Sequence, residues 1–189
     1  MNDPTIVIKE YDPSWPVEFE AIRSELLAIL GSLAVRVDHI GSTSVHGLGA
    51  KDVIDIQITV KALTVVIRQK LIEAGYRWWG EIAFDHVPPG EDDNPKMWIK
   101  EFFYQPEGQR RANIHVRIDG NLNQRYALLF REYLRAHPNS ARTIERIKRE
   151  IAKRHADDMD TYYDIKDPVY DLIWDAAQNW GRQTNWQSL

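Results

Sequence analysis

Twenty-two residues, Val37 to Ile58 (VDHIGSTSVHGLGAKDVIDIQI), constrain this chain more than any other stretch. A strand-like run ends at Gly41-Ser42, a loop of small residues follows, and a second β-branched run carries one carboxylate, Asp55. In Val53–Val60 the period of two puts Val53, Asp55, Gln57 and Thr59 on one face and Ile54, Ile56, Ile58 and Val60 on the other. The apolar face predicts packing on a helical layer. The polar face predicts a cleft, because an ionised carboxylate in such a run is paired, binds metal or faces solvent.

The rest of the chain reads as an α/β domain. A helix over VEFEAIRSELLAIL begins after Trp15-Pro16, with Phe19, Ile22, Leu26 and Ile29 on one face. Leu33–Ile40 and Val53–Val60 are strands, and Ala62–Ala74 is a helix closed by Gly75. Tyr76–Phe84, Met97–Tyr104 and Ala112–Ile118 are three further strands. The first two of these are separated by the turn-rich acidic loop HVPPGEDDNPK, His86 to Lys96. Three helices complete the chain: Leu122–Ala136; one capped by Asn139 or Ser140 with a seam of Ile144, Ile147 and Ile151; and one over Asp164–Trp180 burying Val169, Leu172, Ile173 and Ala176. The expectation is a single domain over 1–189, with a mixed-sheet core to about residue 121 and a C-terminal helical part over about 122–182.

Composition narrows the chemistry. The 189 residues contain no cysteine, which excludes disulfides, thiolate metal sites and cysteine nucleophiles. No run approaches the ~18 apolar residues of a membrane span, and the N-terminus lacks the pattern of a secretion signal, so a cytoplasmic protein is expected. The net charge of −4 hides a basic block, Arg125–Arg154, with nine Lys or Arg against three Glu. Such a block can attract nucleic acid, but the solvated faces of two amphipathic helices account for it more simply, and nucleic acid is not expected as the partner.

The Gly41-Ser42 loop has the makings of a phosphate cradle. Glycine lets the backbone approach an anion, while Ser42 and the N–H groups that follow, through Thr43 and Ser44, can donate to phosphate oxygens. It is neither a P-loop, nor a dinucleotide fingerprint, nor a nucleophile elbow. On local sequence alone the stretch also reads as a turn and helix cap. Lys51 is near enough to reach a phosphate or to pair with a carboxylate. In NIHVR, Asn113, His115 and Arg117 share one strand face, a row of donors around a titratable imidazole. Tyr162 and Lys166, one helical turn apart, are weaker candidates for the same cleft.

HIGSTSVHGLGAKDVIDI resembles the signature of GrpB-like proteins, and YDPSWPVEFE resembles their opening motif. NIHVR, ALLFREYLRAHP and the Tyr162–Lys166 pair are similar to later blocks of that family, in the same order. The HVPPGEDDNP loop and NIHVR are closest to the subgroup fused behind dephospho-coenzyme-A kinases. The resemblance implies a nucleotidyltransferase-like fold in which a Gly-Ser turn and strand carboxylates position a triphosphate. It implies binding of a nucleotide or another phosphorylated small molecule at Gly41, Ser42, Thr43, Ser44, Gln57, Asn113, Arg117, Tyr162 and Lys166. If the site is catalytic, Asp55, His115 and Lys51 carry the reaction and Asp55 holds Mg²⁺. The chain departs from the nucleotidyltransferase pattern at Gln57, which stands where a second carboxylate belongs, and at His115, which stands where a third is expected. Asp119 and Glu101 are the available substitutes for that acid, and His46 and Asp52 replace two prolines of the signature. A non-catalytic binding or accessory domain is the alternative reading.

Overall fold

The structure is a computed structural model that describes residues 5–187; residues 1–4 and 188–189 of the expected domain lie outside the described part. Its elements run α1 (Trp15–Leu30), β1 (Ala34–Ile40), β2 (Ile54–Val60), α2 (Val65–Glu73), β3 (Arg77–Trp78), β4 (Lys100–Tyr104), β5 (Ala112–Ile118), α3 (Leu122–Ala136), α4 (Pro138–Arg154) and α5 (Met159–Gln183). The strands form one sheet of order β1-β2-β5-β4-β3. Only β2 and β5 are parallel; the other neighbours pair antiparallel. This mixed sheet, with a Gly-Ser turn facing an acidic strand, agrees with the α/β nucleotidyltransferase-like class that the motifs imply.

Strand alternation fixes which side is core. Ile54, Ile56, Ile58 and Val60 of β2, with Ile114 and Val116 of β5 and Phe103 of β4, pack beneath α1 and α2. Trp15, Phe19, Leu26 and Leu30 of α1 and Ile67 and Leu71 of α2 cover them. Full burial of such a side chain stabilises by roughly 1.5–3 kcal/mol, so this layer anchors the sheet. Helix α2 starts at Thr64, whose Oγ1 accepts from the Ile67 N–H at 3.3 Å, and it ends at Gly75, where φ is +91°.

The opposite face carries Asp55, Gln57, Asn113, His115 and Arg117, and it is partly roofed by the C-terminal helices. A second core joins Val45 and Leu48 of the Gly-Ser loop to Leu129, Phe130, Tyr133 and Leu134 of α3, Ile144 of α4, and Trp174 and Ala177 of α5. The loop that holds the site is therefore packed against the helices that close it.

Several expected elements shift. The strand expected over Tyr76–Phe84 shrinks to Arg77–Trp78, with Phe84 returning only as a bridge to Ile99. The chain turns away at Gly80, after the Trp79 N–H has donated to the Phe102 carbonyl at 2.9 Å, and Pro95–Met97 forms a short 3-10 turn, so β4 begins at Lys100. Pro138 opens α4 as its first residue, which leaves Asn139 and Ser140 inside the helix and not at its cap. Helix α5 begins five residues earlier than expected, because Asp158 caps it by accepting from the Thr161 N–H at 2.9 Å. Its buried residues are Tyr162, Trp174, Ala177 and Gly181, whereas Leu172 is 72% exposed.

The loop from His86 to Lys96 is strapped to α5. His86 Nε2 lies 2.9 Å from Asp171, and Trp174 Nε1 donates to Glu91 at 2.8 Å. No helix among the described residues is long and apolar enough to cross a membrane.

Candidate functional site

A cleft of about 650 Å³ opens between the polar face of the sheet, the Gly-Ser loop and helices α3 to α5. Its walls bring together Gly41, Ser42, Thr43, Lys51, Asp55, Asn113, His115, Arg117, Tyr162 and Lys166, residues spread over 126 positions of the chain. Two expected residues do not line it. Ser44 is buried behind the turn, where its Oγ donates to the Gly41 carbonyl at 2.6 Å. Gln57 is fully buried beneath α3: its Oε1 accepts from Arg117 Nη1 at 2.7 Å and its Nε2 donates to the Gln124 carbonyl at 3.3 Å.

Gly41 is required by the close approach of loop and strand. With φ at +68°, it stands opposite Asp55, and an added Cβ would lie 2.9 Å from the Asp55 Cβ and nearer still to Oδ2. Asp55 Oδ1 accepts from Asn113 Nδ2 at 2.8 Å, across the parallel pair of β2 and β5. Burial raises its carboxyl above the usual range, against the opposing pull of the Asn113 bond and of Lys51.

His115 sits between two cations, with Nδ1 3.5 Å from Lys100 Nζ and 3.4 Å from Arg117 Nη2. Burial, reinforced by Lys100 and Arg117, pushes the imidazole well below its ordinary value, so it is neutral at pH 7. The anion that balances these cations is one the sequence did not reveal. Asp85, in the loop after β3, accepts from Lys100 Nζ at 2.5 Å, from Arg117 at 2.8 and 2.9 Å, and from Asn123 Nδ2 at 3.0 Å. Burial alone would raise the Asp85 carboxyl, but Arg117 and then Lys100 hold it well below the usual carboxylate range. Neither Asp119 nor Glu101 reaches the cleft: Asp119 pairs with Lys61, and Glu101 points to the other side of the sheet, onto Arg68. Asp52 likewise anchors the N-terminal segment, accepting from Lys9, Trp15 Nε1 and Arg110.

The second group missing from the sequence reading is Lys148 on α4. Its Nζ donates to Ser42 Oγ at 3.1 Å and to the Gly49 carbonyl at 2.8 Å, and the residue is 3% exposed. Burial pushes its ammonium down to about 7; Glu145 opposes the shift, and the nearby Lys166 and Lys51 add to it. Lys51 Nζ donates to Tyr163 OH at 3.0 Å and lies over the rings of Tyr162 and Tyr163. Lys166 pairs with Asp167 and lies 4.1 Å from the centre of the Tyr170 ring. The only sequence signal for Lys148 was a lysine on the apolar side of an otherwise amphipathic helix, next to Ile144, Ile147 and Ile151.

Part of the basic block is used within the fold. Arg131 donates to the His39 carbonyl and to Glu132, Arg135 to the Ser44 carbonyl, and Arg149 to the Ile8 carbonyl and Glu10. These arginines brace the Gly-Ser loop and the N-terminal segment.

The donor set does not suit a pair of divalent metals. Asp55 is the one carboxylate at the turn, Gln57 is turned under α3, and Asp85 is spent on Lys100, Arg117 and Asn123. Among the described residues no group of three His, Asp or Glu converges as metal ligands would.

Fold and cleft together define an α/β protein whose Gly-Ser turn and C-terminal helices enclose a cationic pocket. The chain belongs to the GrpB family: residues 5–175 match the family described as GrpB protein. It is similar to the GrpB protein of Enterococcus faecalis, whose crystal structure superposes with a TM-score of 0.76 at 29% identity, over 92% of this chain and 99% of that one. It is 34% identical over 190 residues to a dephospho-CoA kinase of Mycolicibacterium paratuberculosis, covering 93% of this chain and 47% of that protein. It is 29% identical to a UPF0157 protein of Halalkalibacterium halodurans, over 93% of this chain and 84% of the relative. The chain spans about half the length of the first curated relatives it matches.

Proposed function

We propose that this protein binds a phosphorylated small molecule, with a nucleotide as the favoured class, in the cleft between Gly41-Ser42, Asp55 and α4–α5. The observation that carries this reading is the meeting of Lys148 with Ser42, on a turn that Gly41 opens at a φ of +68°. Lys51 and Lys166 add charge from the neighbouring loop and helix, and both belong to the same wall of the cleft. Tyr104, Tyr126, Phe130 and Tyr170 supply aromatic surface on which a base can stack.

The site's chemistry favours holding a ligand over transforming it. His115 is neutral and enclosed by cations, which suits a hydrogen bond to a phosphate oxygen better than proton abstraction. Nucleotidyl transfer is the second reading, favoured by the Gly-Ser turn facing Asp55, and in it Asp55 would hold Mg²⁺ through one carboxylate with phosphate and water as its other ligands.

Calorimetric titration of ATP, CTP, GTP and UTP, and of the matching nucleosides, tests the binding reading on wild type, Ser42→Ala and Lys148→Met. Triphosphates are expected to bind, nucleosides to bind at least tenfold more weakly, and Lys148→Met to lose most of the difference. Equal affinity for nucleosides, or no binding of any triphosphate, would overturn it. Mg²⁺-dependent release of pyrophosphate that disappears in Asp55→Asn is the result that would establish transfer.

A further inference from the structure

We propose that the cleft holds a polyphosphate with lysine ammonium groups in the place where a divalent cation would otherwise stand. The inference rests on the phosphate-binding reading above and adds the means by which the charge is met.

The side chains lining the cleft include seven Lys or Arg and three Asp, a formal excess of four cationic side chains. A di- or triphosphate free of metal matches that balance. Its magnesium complex, with much of the charge already cancelled, does not. The cations are also unevenly committed. Lys100 and Arg117 share Asp85, which offsets one of their two charges. Lys51 and Lys148 donate instead to neutral oxygens, those of Tyr163, Ser42 and Gly49. Glu145, the carboxylate nearest in influence to Lys148, is held by Arg149 and by the Gly49 N–H.

Lys51, Lys148 and Lys166 come from three elements, the loop before β2, α4 and α5, and the charges of Lys51 and Lys166 both act against that of Lys148. A bound phosphate chain relieves that repulsion, and this is the service a metal ion performs from the ligand's side. Asp55 cannot readily serve as a metal anchor here. One oxygen is engaged by Asn113, the other is pressed against Gly41, and no second carboxylate adjoins it at Gln57. In a pocket this cationic, a divalent ion would meet the lysines as a like charge.

Inorganic tripolyphosphate, titrated into the whole chain in EDTA and again in Mg²⁺, tests the inference with a ligand that has no base to stack. Binding in EDTA at least as tight as in Mg²⁺ is expected, weakened tenfold or more by Lys148→Met. Because Lys148 also tethers the loop, Lys51→Met and Lys166→Met serve as second variants, each expected to weaken binding severalfold with an unchanged circular dichroism spectrum. Binding that requires Mg²⁺ and is lost in Asp55→Asn would overturn the lysine assignment while leaving the phosphate reading intact. Absence of binding by tripolyphosphate and by every nucleotide, in both buffers, would overturn both.

Discussion

Lys148 Nζ, on α4, lies 3.1 Å from Ser42 Oγ, in the turn after β1, 106 positions away along the chain. The contact makes one unit of the Gly-Ser loop and the C-terminal helices, and it gives the loop's function a pH dependence. Burial lowers the folded-state ammonium from an ordinary 10.5 to about 7. The unfolded chain therefore binds more protons between those values, and the contribution of Lys148 to stability rises with pH from about 7 to about 10. The slope is at most about 1.4 kcal/mol per pH unit. Denaturant titrations at pH 6.5, 8 and 9.5 should show this rise, and Lys148→Met should flatten it. An identical pH profile in the variant would show that Lys148 is charged throughout.

Asp85 is the second buried charge whose removal is informative. Asp85→Ala leaves Lys100 and Arg117 buried without their carboxylate, and a loss of about 3–5 kcal/mol is expected. Its depressed carboxyl stabilises the fold above the unfolded-state value near 3.8, and that contribution disappears as pH falls below about 4. Acid unfolding followed by tryptophan fluorescence should consequently be less steep in Asp85→Asn than in wild type.

Gly41→Ala places a methyl group against Asp55 at a backbone angle that alanine adopts at a cost. A destabilisation of about 2 kcal/mol or more is expected from the clash and the positive φ together. Thermal unfolding would read it directly, and a Tm within a degree of wild type would mean that the loop and strand stand farther apart than described.

Gln57 tests whether an acid at that position makes a metal site. Because its side chain lies beneath α3 and not in the cleft, Gln57→Glu should leave Mg²⁺ affinity unchanged in calorimetry. The new carboxylate would pair with Arg117 but face the Gln124 carbonyl, which it cannot donate to when ionised. A net destabilisation on the order of 1–3 kcal/mol is expected. A new Mg²⁺ site in this variant would show that α3 moves aside.

Much of this architecture is written in local sequence. The alternation in β2 and β5 determined which residues face the helical core and which face the cleft, because a strand's period of two leaves no other assignment once the isoleucines are buried. Helix α3 spans the residues its apolar spacing requires, Leu122 to Ala136. The Gly-Ser turn and Asp55 were legible from local sequence too: a glycine followed by small residues ends the strand, and a carboxylate interrupts an apolar run. What sequence could not supply were the partners that arrive through space. Whether Gln57 faces a ligand or lies under α3 depends on where α3 docks, and the register of α5, with Leu172 exposed and Trp174 buried, depends on a helix that packs against α3 and α4 at once. Asp85 sits in a loop with no periodicity to mark it, and Lys148, though it falls on the apolar side of α4, has no visible partner until α4 folds over the turn. Local sequence determined the strands, the turn and the lone acid, since those depend on backbone preference and burial pattern. Only the tertiary structure decided the charge of the cleft, because that charge is the sum of side chains brought together from elements far apart in the chain.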